Sequence, residues 1–114
     1  MDTQLLSLLF PEGLLDLFTV TSYELTDSGY MFYLDEKLIV PVGYRRSELE
    51  SKGFLDSVNI ADFPLRGKPC RYKVRRRKWL VKHTGKVITR DWSIVANGTR
   101  TTEEFASFLK GLDR

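Results

Sequence analysis

A single cysteine, Cys70, stands in the 114-residue chain, which excludes a disulfide within it and suits a reducing compartment. The one histidine, His83, cannot complete with that thiol the four N or S ligands of a structural zinc site, so no metal or other cofactor is expected. Long apolar runs are scarce. Near the N-terminus the longest is Leu8-Leu9-Phe10, closed by Pro11, against the roughly 20 residues that a membrane-spanning helix needs. Asp2 stands where a secretory signal would carry positive charge, so the expectation is a cytoplasmic protein with no membrane partner. A phosphate-cradling glycine loop is also missing.

What the chain does have is a segregated charge. Its net charge of +3 hides a balance of −7 over residues 1–63 and +10 over residues 64–114. Between Arg66 and Arg90 there are eleven Lys or Arg and no Asp or Glu. Repulsion inside such a segment must be offset by something, and a polyanion is the ready candidate. The 42% hydrophobic and 29% charged content fits an ordered globular chain, and the length fits one domain over residues 1–114.

Local patterning predicts an α+β fold: N-terminal short helices, a small antiparallel sheet or two β-hairpins, and a C-terminal amphipathic helix. Gln4 to Phe18 reads as helical, with a second short helix over Pro11 to Leu17. Thr19 to Leu25 and Tyr30 to Leu34 read as strands joined by the turn Thr26-Asp27-Ser28-Gly29. Tyr30, Phe32 and Leu34 share one face, Met31 and Tyr33 the other. From Asp35 to Asp62 the periodicity fades into a long connection. Cys70 to Val81 reads as a strand with Cys70, Tyr72 and Val74 inward. Its phase breaks in Arg75-Arg76-Arg77-Lys78, which predicts a bulge or strand end before the inward pair Trp79 and Val81. His83-Thr84-Gly85-Lys86 is a turn, and Val87 to Val95 a further strand. After the turn Asn97-Gly98, Thr101 and Glu104 form a capping box for a helix whose apolar face is Phe105, Phe108, Leu109 and Leu112.

Catalytic constellations are missing. Asp35 and Glu36 are adjacent and read as a solvated loop, His83 has no nucleophile beside it, and Cys70 reads as a small buried thiol. The expectation is therefore no enzyme. On a strand, residues two apart lie about 6.6 Å from each other on one face, so Arg71, Lys73, Arg75 and Arg77 predict a row of cations spaced like successive phosphates. Arg66, Lys68, Arg76 and Lys78 flank the row, and Lys82, Lys86, Arg90 and Arg100 extend it. Together these twelve residues are the candidate nucleic-acid-binding set. Alanine at Arg75, Arg76 and Arg77 is expected to remove most of the binding and leave the fold intact.

Phe10-Pro11-Glu12-Gly13-Leu14-Leu15-Asp16, Tyr33-Leu34-Asp35-Glu36-Lys37 and Ser51-Lys52-Gly53-Phe54 begin a series of short motifs in a characteristic order. Asp62-Phe63-Pro64-Leu65-Arg66-Gly67-Lys68, Arg75-Arg76-Arg77-Lys78-Trp79 and Arg90-Asp91-Trp92 continue it, and Gly98-Thr99-Arg100-Thr101-Thr102-Glu103-Glu104-Phe105 completes it. In these motifs nearly the whole chain resembles the N-terminal region protein of bacterial insertion-sequence transposases, in which the catalytic RNase-H-like part lies in a separate reading frame. The resemblance implies a non-catalytic module that binds DNA at the terminal repeats of the element, with the DDE acids on another polypeptide. Related transposases follow the Arg75–Trp79 run with a cysteine-rich zinc ribbon and a helix-turn-helix. Here Val81-Lys82-His83-Thr84-Gly85-Lys86 occupies the ribbon's place.

DNA is thus the first expected partner, bound through a basic β-hairpin. The alternatives are an interaction module, whose acidic, leucine-rich first half docks onto the catalytic transposase chain or onto a second copy, and an RNA-binding domain.

Overall fold

The computed structural model describes residues 8–92 and 103–112. Gln4 to Ser7 of the first expected helix, residues 93–95 of the expected Val87–Val95 strand, the Asn97-Gly98 turn, the Thr101 cap and Arg100 lie outside them, as does the Glu104 side chain. That strand itself stops at Thr89, short of Trp92.

The fold is α+β. Helix α1 is one turn, Leu14–Leu17. Strands β1 (Phe18–Thr26), β2 (Gly29–Glu36), β4 (Val58–Leu65) and β5 (Lys68–Arg75) build a four-stranded sheet in the order β1-β2-β5-β4. Strands β3 (Leu49–Phe54), β6 (Arg77–Val81) and β7 (Lys86–Thr89) build a three-stranded sheet in the order β3-β6-β7, and helix α2 spans Glu103–Leu112. Phe18, expected in the first helix, opens β1 with its ring fully buried.

The two hairpins β1–β2 and β4–β5 are antiparallel, and β2 and β5 join them as a parallel pair. That parallel seam follows from no local pattern, because a long crossover separates its two strands. Gly29 opens β2 at φ +123°, and a side chain there would run into the carbonyl oxygen of Pro69 at the start of β5. Only glycine lets the first hairpin close beside the second.

The connection expected over Asp35–Asp62 contains two strands. β3 reads Leu-Glu-Ser-Lys-Gly-Phe and buries only Leu49, so its alternation is too weak to see. In β4 the inward positions run Val58, Ile60, Asp62, and the last is a carboxylate that accepts the Tyr72 hydroxyl. Pro64 is tolerated because β4 is an edge strand.

The main core lies on one face of the larger sheet. Phe32, Leu34, Ile60, Cys70, Tyr72 and Val74 point into it from the strands, and Phe105, Phe108, Leu109 and Leu112 cover them from α2. The amphipathic face read from the sequence is the face that packs, and each fully buried side chain of this kind contributes about 1.5–3 kcal/mol. The Phe108 ring meets Phe18 and Tyr72 edge-on at 5.4 and 5.8 Å. Gly111 lets α2 approach β4, since a methyl there would stand 3.1 Å from Ile60. Trp92 stacks on Phe18 in this core, at 5.3 Å between ring centres. A second, small core of Leu49, Trp79 and Val81 belongs to the three-stranded sheet.

Candidate nucleic-acid interface

The basic segment is a run of strand that changes sheet. β5 alternates inward Cys70, Tyr72, Val74 with outward Arg71, Lys73, Arg75 as expected. Arg76 is the phase break, and beyond it the chain continues as β6 in the other sheet, with Trp79 and Val81 inward. The feature read as a bulge or strand end is the passage between the two sheets, and the hairpin proper is only β6–β7 with its turn at Lys82–Gly85.

The twelve cations fall into three groups. Arg66 and Lys68 are exposed at the β4–β5 turn, Arg71 and Lys73 on the outer face of the four-stranded sheet, and Lys82 and Lys86 at the β6–β7 turn. None of these six has an ion-pair partner among the described residues. Lys78 is half-buried in β6.

The second group is committed inside the molecule. Arg75 donates from Nε and Nη2 to the two carboxylate oxygens of Asp35, at 2.7 and 2.6 Å. That two-pronged bond raises its already high pKa. Its side chain stays half-exposed. Arg76 donates to the carbonyl oxygen of Leu112 at 3.1 Å, capping the end of α2. Arg77 donates from Nε to the carbonyl oxygen of Glu36 at 2.8 Å and from Nη1 to Ser51 Oγ at 3.2 Å. The guanidinium carbons of Arg75 and Arg77 lie 4.2 and 4.6 Å from the centre of the Phe54 ring. Arg77 therefore does not continue the outward row, because the break at Arg76 turns it toward β3.

Arg90 is buried, 7% exposed, and its Nε donates to Glu36 Oε2 at 3.1 Å. Its Nη2 donates to the carbonyl oxygen of Ile39. Glu36, expected in a solvated loop, is 1% exposed at the end of β2, and its other carboxylate oxygen accepts the backbone N–H of Arg77 at 3.0 Å. A buried carboxylate needs such partners, and here they tie the two sheets together. Neighbouring Asp35 faces the opposite way, as adjacent strand residues must, and serves Arg75. Arg100, the third kind, lies outside the described residues.

The outer sheet face also carries groups that the charge pattern does not single out. In the parallel seam Met31 stands beside Arg71, Tyr33 beside Lys73 and Asp35 beside Arg75. The Tyr33 hydroxyl donates to Glu24 at 3.2 Å, and the phenol is pushed above its ordinary pKa by desolvation and by that carboxylate. A hollow of about 220 Å³ opens between Tyr33, Lys73 and Arg75. The sequence does put Met31 and Tyr33 opposite Phe32, but only the pairing of β2 with β5 brings them to the cations.

Among the described residues no three of His, Cys, Asp and Glu gather where they could hold a metal ion, and no helix is long and apolar enough to cross a membrane. Cys70 is buried, and burial with the nearby Asp62 pushes its thiol up to about 11. His83 is exposed in the β6–β7 turn.

No known protein family matches the chain, and neither a curated protein nor a solved structure matches it.

Proposed function

We propose that the chain is a non-catalytic nucleic-acid-binding module whose ligand is DNA, at the ends of an insertion sequence as its resemblance to transposase N-terminal regions implies. The observation that carries this reading is the set of exposed cations along one strand run: Arg66 and Lys68 at its start, Arg71 and Lys73 on the outer sheet face, Lys82 and Lys86 past its end. Each phosphate that such a cation neutralises releases condensed counterions, which gives affinity without base reading. In this reading the catalytic acids belong to a separate DDE transposase chain, which is the protein partner.

Arg75, Arg76 and Arg77 are the wrong residues for a test, since each holds part of the fold together. Arg71 and Lys73 make no such bonds among the described residues. The double variant Arg71→Ala, Lys73→Ala should melt like the parent and bind a terminal-repeat duplex more weakly. The slope of log affinity against log salt should flatten by about 2. Unchanged affinity and slope would sink the reading, and competition with duplex RNA of equal length separates DNA from RNA.

A second reading, an interaction module, is favoured by one observation. Leu38, Ile39, Val42 and Tyr44 leave apolar surface exposed in the β2–β3 connection, beside a hollow of about 240 Å³ edged by Pro41 and Ile88. Clustered exposed apolar side chains mark docking surfaces. The catalytic chain or a second copy is the occupant in that case.

A further inference from the structure

We propose that the outer face of the four-stranded sheet takes an unpaired stretch of nucleic acid, with a base stacked on Tyr33 and the flanking phosphates on Lys73 and Arg71. The proposal rests on the nucleic-acid reading above and names the form of the ligand.

Three observations carry it. First, among the described residues the face is left open: Phe10, α1, Trp92 and α2 belong to the core on the other side of the sheet, with Phe32 and Tyr72, while Arg71 and Lys73 are exposed. Second, the parallel register interleaves ring and charge. Tyr33 is the direct cross-strand neighbour of Lys73, with Arg71 one repeat further along β5, and neighbouring strands lie about 4.8 Å apart. Cations two residues apart along β5 stand about 6.6 Å from each other, which is comparable with successive phosphates of an extended single strand. The bond from the Tyr33 hydroxyl to Glu24 holds the ring against β1, so little side-chain freedom remains to be lost on stacking.

Third, the face has a hollow beside that ring. It is bordered by Ser22, Ser57, Tyr33 and Lys73, and Ser22 lies where the register of β1 against β2 shifts. At about 220 Å³ it is smaller than the roughly 300 Å³ and upward that enclose a whole small molecule, and it suits one segment of a longer chain. Asp35 engages Arg75 on the same face, so the anion's partners are Lys73 and Arg71. A duplex could meet these cations with its phosphates, but its bases are stacked on one another and offer Tyr33 no free face. Base–aromatic stacking is gained only with unpaired bases and tolerates any sequence.

The test is fluorescence anisotropy of the full chain with an oligothymidylate of about 12 nucleotides and with a duplex of the same length, at equal salt. The parent should bind the single strand more tightly. Tyr33→Ala should weaken single-strand binding about tenfold and leave duplex binding unchanged, whereas Tyr33→Phe, which keeps the ring and loses only the ordering bond to Glu24, should weaken it by about twofold at most. Loss of affinity in Tyr33→Phe equal to that in Tyr33→Ala would overturn the stacking role, as would an equal effect of Tyr33→Ala on both ligands. Single-strand binding that needs Arg71 and Lys73 but ignores Tyr33, or tighter binding of the duplex than of the single strand, would overturn this inference alone. Absence of binding to either ligand by the parent would overturn the wider reading with it.

Discussion

Cys70 and Tyr72 show how a side chain's neighbours decide its chemistry. Both face the core from β5, and the Tyr72 hydroxyl donates to Asp62. Burial, then Asp62, raises both groups, the thiol from 9.0 to about 11 and the phenol further. The folded state therefore holds the thiol neutral over a range in which the unfolded chain ionises it. Stability from this difference is complete below pH 9.0 and is lost as the pH climbs toward about 11. Urea midpoints measured across that window should fall, and they should fall less in Cys70→Ala, which has no thiol to ionise. Equal falls in the two proteins would show that Cys70 does not contribute. The same burial makes the thiol a poor nucleophile, since thiolate is the reactive form.

Among the secondary-structure elements, the end of β2 does the joining. Glu36 accepts the Arg77 backbone N–H that opens β6 and the Arg90 guanidinium that follows β7, while its own carbonyl oxygen accepts Arg77 Nε. One residue thus binds the four-stranded sheet to the three-stranded one. Glu36→Ala should cost about 3–5 kcal/mol in urea denaturation, because it leaves the Arg90 charge buried and unpaired. Replacing Glu36 and Arg90 together by Met should cost less than Glu36→Ala alone, since no charge is then stranded. The fold class, the turns of the β1–β2 and β6–β7 hairpins and the packing face of α2 were legible from the local sequence. β3 and β4 were not, because β3 buries one side chain and β4 puts a carboxylate at an inward position. The break at Arg76 was visible as a change of phase, but a change of phase does not say that the strand enters a second sheet.

Across the whole molecule, the charge split resolves into two kinds of cation. Those at the sheet junction are neutralised by acids from the first half, Arg75 by Asp35 and Arg90 by Glu36. Those at the turns and on the outer face stay in solvent, where a polyanion can reach them. The apolar surface of Leu38, Ile39, Val42 and Tyr44 is a separate feature, near Ile88 and Arg90. If that surface docks a second copy, light scattering after size exclusion should give a dimer without nucleic acid, and Val42→Asp should return it to a monomer. A monomer at high concentration that also ignores the catalytic chain would exclude the interaction reading. The salt-sensitive binding proposed for Arg71 and Lys73 should be indifferent to that substitution.

The sequence by itself determined the α+β class, the inward sets Cys70-Tyr72-Val74 and Phe105-Phe108-Leu109-Leu112, and the lack of disulfide or zinc-ligand spacing, because periodicity and residue type are local properties. Only the tertiary structure decided which arginines are free. Whether Arg77 or Arg90 meets solvent depends on where Glu36, Ser51 and Ile39 arrive, and these lie up to 54 positions away in the chain. The neighbourhood of Tyr33 and Lys73 was decided in the same way, by the parallel pairing of β2 with β5. Long-range pairing of this kind is set by the packing of the whole core, and no window of sequence contains it.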